Sequence, residues 1–416
     1  MMLNRVGFYH WAGPGTIRMN AVKYFNSKHD HHSLMTCYDK DYLAKAQELF
    51  GITDIWVTYS WGFSEATEAE DYEFILSRLD GMKELGLTVH AYMQGPNLVY
   101  QEFPDADWWA EDEKGRYITY YRGRRVCSIH HPAFVTFISD KVRRMYGLGF
   151  DGVFVDNIQQ GQLGIPLPHG IPPFVFCGDA SPIAREQFRA ETGCEIPTDF
   201  EKDPELTQKY LDFRVDSNVK FVAHLADVVH EGEMQFGTNF YDPKFDARYT
   251  YGIDMARMAQ VQDYILFENH SLPTDNGKKH NQYVEDVVNS LGVDVPAFVV
   301  SYAQGVGLEP QYQQGQIDNL FSEAAKSNFY VCLKGGEYTT KGVWHSLYLD
   351  GLSKPDATKQ LPRLELKQES QLVELILRLK LLRMLIKRFY NPLYTAAFEW
   401  RIMRVLVYVV YLTTLK

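Results

Sequence analysis

The chain lacks any run of 18 apolar residues, so its pattern offers no membrane-spanning helix. Excess positive charge is missing as well. The 42 Lys and Arg stand against 53 Asp and Glu, and a net charge of -11 argues against a nucleic-acid partner. Cysteine is scarce: Cys37, Cys127, Cys177, Cys194 and Cys332 are scattered and form no CxxC pair. They read as free thiols in a reducing compartment, not as a disulfide framework. The opening MMLNRVGFYHW lacks the apolar segment of a secretory signal. A cytoplasmic protein is the resulting expectation. The glycine-rich dinucleotide fingerprint is absent too, because WAGPGTIRMN has the wrong spacing. Three histidines crowd into KHDHHS (28–33), without a matching ligand set, so neither a cofactor nor a metal is expected.

What is present is a long alternation of strand-like and helix-like segments. The strand-like runs are RVGFYHW (5–11), TDIWVTYSW (53–61), LTVHAYMQ (87–94), DGVFVDN (151–157), MQFGTNFY (234–241), DYILFENH (263–270), VPAFVVSYAQG (295–305) and NFYVCLKGGEY (328–338). Most are continuously apolar, as befits strands covered on both faces. Helical candidates lie between them, several opening on proline or closing on glycine. Eight strands, each followed by helix, predict an α/β fold of the (β/α)8 TIM-barrel type. Two long insertions are expected, at about 95–130 and 158–233, where they would shape a substrate cleft. The barrel is expected over 1–390. Residues 391–416 read as a strand-like extension, the start of a truncated β-domain or a strand that pairs elsewhere. QLVELILRLKLLRMLIKRF, just before it, carries the apolar stripe that an eighth barrel helix needs.

Function has to be argued from the carboxyl ends of the strands. In order they offer His10 and Trp11, Trp61, Gln94, Asp156 and Asn157, Asn239 and Tyr241, Glu268, Tyr302, and Glu337. Two carboxylates among amides and aromatic rings suit glycoside hydrolysis, in which one carboxyl protonates the leaving oxygen while another attacks or activates water. Asp156 and Glu268, two strands apart, are the expected pair, with Glu337 and Asp242 as competitors. A carbohydrate substrate is therefore the expected partner, with self-association left open. In RRVCSIHHPAF (124–134), Arg125 could grip a carboxylate and His130 could act as acid or base. Gly305, Gly307, Gly335 and Gly336 follow the last two strands, where many barrels hold phosphate, so an isomerase or aldolase using Lys334 is an alternative. A barrel that binds sugar without cleaving it is another.

The segment from VCSIHHPAF through GLGFDGVFVDN to CGDASPIAREQFRAETGCEIP resembles the central part of bacterial barrel glycosidases, the hypothetical glycosyl hydrolases and β-galactosidase-like barrels. A Cys-x-x-His/Asn-Pro stretch leads there to a helix, then to an Asp-Gly-Ile/Val-Phe-x-Asp strand, then to a helix with a Phe-Arg pair, here Phe188 and Arg189. The resemblance spans the middle third of the chain. Acids on strands 4 and 6 also resemble the α-galactosidase clan, which implies Asp156 as nucleophile and Glu268 as acid/base. A fainter similarity to an inverting exo-sialidase family implies roles for His130 and Arg125, though His10 and Trp11 stand where that family has an aspartate.

Overall fold

The computed structural model describes residues 5–10, 13–15, 18, 35–120, 123–167, 169–243, 245–269, 272–277, 279–301, 312–338, 344–346 and 351–362. In chain order its first elements are β1 (Gly7–His10), α1 (Lys40–Phe50), β2 (Asp54–Ser60), α2 (Glu65–Glu84), β3 (Thr88–Gln94), β4 (Asn97–Val99), β5 (Arg124–Val126), α3 (Pro132–Arg143) and β6 (Gly152–Asp156). Then come α4 (Pro182–Thr192), α5 (Pro204–Glu231), β7 (Gln235–Phe240), α6 (Ala247–Tyr251), α7 (Met255–Ala259), β8 (Tyr264–Asn269) and α8 (Gln282–Ser290). The last are β9 (Ala297–Ser301), α9 (Gln314–Ala324), β10 (Tyr330–Lys334), β11 (Gly336–Tyr338) and β12 (Trp344–Ser346).

The strands β1, β2, β3, β6, β7, β8, β9 and β10 close into one barrel. Every pairing around it is parallel. Each strand falls within a run expected from the sequence, so the (β/α)8 reading holds. Local signals set the helix ends. Gly51, in the left-handed region at φ 71°, closes α1, and Asp203 caps α5 ahead of Pro204.

Successive strand residues point alternately inward and outward. The inner row is a plug of rings: Tyr9, Trp56, Tyr92, Phe154, Tyr264 and Phe298 form one buried cluster with Leu266, Val300 and Cys332. Trp56 is central, stacked on His90 at 4.9 Å between centroids and edge-on to Phe298 at 5.0 Å. The outer row, with Phe8, Ile55, Val57, Val89, Val153, Val155 and Phe267, joins the helices in the main core. Rings this large fit inside the barrel because small residues face them. A Cβ on Gly152 would overlap the His90 ring and lie 2.9 Å from the Gln235 carbonyl oxygen.

Two expectations need correction, and one insertion holds an element that was not expected. The run 328–338 is not one strand: it breaks at Gly335, and β11 turns away to pair antiparallel with β12. The insertion after β6 is shorter than expected, because α5 is a barrel helix whose Phe221, Val222, Leu225 and Val229 enter the main core. Only its first turns, with Tyr210 and Phe213, serve the separate small core of the insertion. The insertion after β3 contains an antiparallel hairpin, β4–β5, that no turn signal announced. The expected eighth helix, the extension 391–416 and KHDHHS lie outside the described residues. Among the described residues no helix is long and apolar enough to cross a membrane.

Overpacking the plug is testable against a glycine with space around it. Gly152→Ala is expected to lower the urea-unfolding free energy by about 1–3 kcal/mol. Gly315→Ala, in α9 with nothing within 4 Å of the added carbon, is expected to raise it by up to about 1 kcal/mol.

Candidate active site

Asp156 is the last residue of β6 and continues the inward row after Phe154. Gln94 holds the same position on β3 and pairs with it in register. Four side chains there close a hydrogen-bonded ring. The Tyr92 hydroxyl donates to Asp156 Oδ2 and accepts from Gln94 Nε2, while Gln94 Oε1 accepts from Asn157 Nδ2 at 2.9 Å. Asn157 Nδ2 closes the ring on Asp156 Oδ2 at 2.6 Å.

Asn157 can do this because its backbone turns back. It has φ 58°, a left-handed conformation that asparagine tolerates better than most residues. Its own N–H points at Asp156 Oδ1 at 2.8 Å and at Asn239 Oδ1 at 3.0 Å. Its carbonyl oxygen Oδ1 accepts from Tyr120, with Tyr241 at 3.4 Å. Tyr241 also donates to Gln159 and stacks on Tyr251 at 4.0 Å. The abrupt Asp-Asn after an apolar strand is therefore a carboxylate with a built-in clamp.

Burial pushes the Asp156 carboxyl up to about 6, although the Tyr92 hydroxyl, the Asn157 N–H and the Arg124 charge pull the other way. Glu268 stands on the inward side of β8, two residues beyond Leu266, and is partly buried. Asp156 and Glu268 both act electrostatically on the Tyr92 and Tyr241 phenols, and burial and the two carboxylates together raise these phenols. The two acids thus share one region of the barrel mouth. Lys334 takes the matching inward position on β10 and is fully buried.

The loop after β3 reads differently from its sequence. Strand residues alternate, and in β5 it is Arg124 that faces the barrel, fully buried with its guanidinium 5.2 Å from the Trp61 ring. Trp61 in turn lies 5.9 Å from Tyr92. Arg125 points the other way, gripped between Tyr100 at 4.1 Å and Tyr117 at 4.4 Å. His130 has both ring nitrogens engaged, with Gln187 at 2.6 Å and Gln160 at 3.0 Å, and its ring lies flat on Phe213. Arg125 and His130 are thus committed to contacts outside the carboxylate cluster. His10 also departs from its expected place: it follows Phe8 outward, with its ring 4.3 Å from Tyr38, and burial lowers it to about 3. Trp11 and Tyr302 lie outside the described residues, as does the side chain of Glu337. Gly335 passes hard against the His10 ring, which accounts for a glycine there without a phosphate. Among the described residues no group of acids, histidines and cysteines could hold a metal.

No family model matches the sequence, and no curated protein does. Solved structures do resemble it. The catalytic domain of β-amylase from Paenibacillus polymyxa is similar at TM-score 0.51 and 11% identity, over 79% of this chain and 91% of that one. The PgaB (BpsB) glycoside hydrolase domain from Bordetella bronchiseptica gives 0.51 at 14% identity, over 79% and 93%. A β-galactosidase from Rahnella sp. R3 gives 0.51 at 12% identity over 80% of this chain, which spans only 50% of that enzyme. The fold is the (β/α)8 barrel of these glycoside hydrolases. At such identities the likeness reaches no further than fold, and the chemistry rests on the side chains.

The raised Asp156 carboxyl has a consequence for stability. Its folded value of about 6 exceeds the ordinary 3.8, so its contribution is fully present below 3.8 and is lost as pH rises through 6. Asp156→Asn removes that loss. The variant is expected to gain up to about 3 kcal/mol over the wild type between about pH 3 and pH 8, at roughly 1.4 kcal/mol per unit. Urea titrations at the two pH values check it, and a gain that stays constant with pH would show that Asp156 ionises normally.

Proposed function

We propose that the chain is a glycoside hydrolase acting on a neutral sugar, with Asp156 as the ionised nucleophile or base and Glu268 as the proton donor. The observation that carries this reading is the clamp on Asp156. Three donors from Tyr92 and Asn157 aim at one inward carboxyl, while a second inward carboxyl shares its field. Donors so placed favour the charged form and fix its direction. Glycosidic cleavage needs that division of labour between two acids. Trp61 and Tyr241 offer flat faces to a sugar ring, and Gln94 and Asn239 offer amides to its hydroxyls. The substrate names of the similar structures, β-amylase and β-galactosidase, are compatible with a neutral glycan.

The charge at the mouth favours a neutral substrate. Among the described residues the buried cations of the mouth, Arg124 and Lys334, stand beside three acids, the inward Asp156 and Glu268 and the buried Asp242. The sialidase alternative loses Arg125 and His130 to other contacts.

A panel of chromogenic glycosides, with a sialoside included, tests the proposal. Hydrolysis of a neutral member is expected, with Asp156→Asn and Glu268→Gln each lowering kcat/KM by about a thousandfold. Because Asp156 must be ionised, kcat/KM of the wild type is expected to rise through about pH 6. Full activity in Asp156→Asn, or turnover of the sialoside alone, would sink the assignment.

A further inference from the structure

We propose that Asn97 is a substrate-binding residue, reading a pair of hydroxyls on the neutral sugar ring held against Asp156. The inference rests on the functional reading above and extends it to the roof of the site.

The roof is the β4–β5 hairpin, and its position is tightly fixed. The Gly95 N–H donates to the Asp156 carbonyl at 2.7 Å, and a Cβ on Gly95 would stand 2.6 Å from that oxygen. Cys127 N–H bonds the Pro96 carbonyl at 2.8 Å, and Val99 N–H bonds the Gly62 carbonyl at 2.8 Å. The hairpin is thereby tied at one end to the residue that carries the carboxylate and at the other to the turn that carries Trp61.

Its register decides which side chains look into the barrel. Asn97 pairs with Val126 and Val99 with Arg124, so these four share one face. Val99 packs in the inner aromatic cluster with Trp61 and Tyr92. Val126 packs with Tyr120, whose hydroxyl bonds Asn157. Leu98 and Arg125 occupy the opposite face, Leu98 in the main core. Asn97 therefore sits on the face turned to the barrel mouth, between the Arg124–Trp61 wall and the Tyr120–Asn157 wall.

Asn97 is fully buried, yet its Oδ1 and Nδ2 both lack a hydrogen-bond partner among the described residues. An enclosed amide with neither end satisfied is costly and uncommon. It presents two donors and an acceptor. Adjacent sugar hydroxyls, each both donor and acceptor, complement that set, whereas a purely apolar or purely anionic group does not.

The test uses binding so that it does not depend on turnover. Calorimetric titrations of Asp156→Asn with glucose, galactose, mannose and fucose identify a bound monosaccharide. Adding Asn97→Leu is expected to weaken that binding by about ten- to a hundredfold. Removing one ring hydroxyl from the sugar is expected to weaken binding to the Asn97 protein and leave the Asn97→Leu protein indifferent. Asn97→Asp, which keeps the shape and loses the donors, is expected to fall between. The melting temperature of Asn97→Leu is expected to match or exceed that of its parent, since an unsatisfied amide is gone. Unchanged affinity would mean that Asn97 does not touch the sugar, and would overturn the proposal. So would the absence of binding by all four sugars. Sugar binding that depends on Asn97 in a wild type without hydrolytic activity would sink the hydrolase reading and leave this one standing.

Discussion

A residue in a closed barrel strand faces either the axis or the surrounding helices, and the side changes at every step. The candidate site of this protein depends on that alternation. Tyr92 inward puts Gln94 inward, Phe154 does the same for Asp156, Leu266 for Glu268, and Cys332 for Lys334. The same rule sends His10 outward behind Phe8. A slip of one residue in β6 would put Val155 into the mouth and the Asp156 carboxyl among the apolar side chains of the helix layer. An unpaired carboxylate there costs several kcal/mol, so the register of the chemistry and the register of the core are specified together.

Alternation alone would leave Asp156 desolvated above a plug of aromatic rings. Its solvation is supplied by neighbours that are themselves constrained. Tyr92 comes from the inward row of the adjacent strand, Gln94 from two residues further along it, and Asn157 from a left-handed turn that brings both its N–H and its amide to the same carboxyl. Because burial still outweighs these donors, the group rests near 6 rather than in the ordinary carboxylate range. That balance leaves a carboxyl that changes charge close to neutrality, and its ionisation costs the fold stability above that pH.

The sequence made the barrel legible because a strand covered on both faces must be apolar throughout, and eight such runs stand out. The place of Asp156 and Glu268 at the barrel rim is legible for the complementary reason: an acid ending an apolar run has nowhere else to go. What lay beyond reach depended on pairings without a local signal. Choosing Arg124 over Arg125 requires the register of β4 against β5, two three-residue strands separated by a long loop. The break at Gly335 depends on a pairing with β12 that the run itself does not contain. The helix Pro204–Glu231 looked like part of an insertion because its first turns serve one core and the rest another. Asn97 carries no pattern at all, since an asparagine after Gly-Pro reads as an ordinary turn residue.

The contrast between structural and candidate functional polar groups is the strongest argument the molecule offers about where it works. Buried Arg214 is saturated, its guanidinium spread over the carbonyls of Gln160, Gln162, Tyr249 and Thr250, and it pins the insertion to the barrel. Buried Glu68 is saturated too, accepting from Ser60, the Trp61 and Phe63 N–H groups, Tyr72 and Lys141 while it shapes the turn that carries Trp61. These two charged groups, which hold the fold together, have had their hydrogen-bonding capacity filled from within the chain. At the mouth the pattern changes: Asp156 is clamped but still destabilised in its charged form, and Asn97 has no protein partner among the described residues. Both lie at the mouth, where the hydroxyls of a sugar ring would complete them.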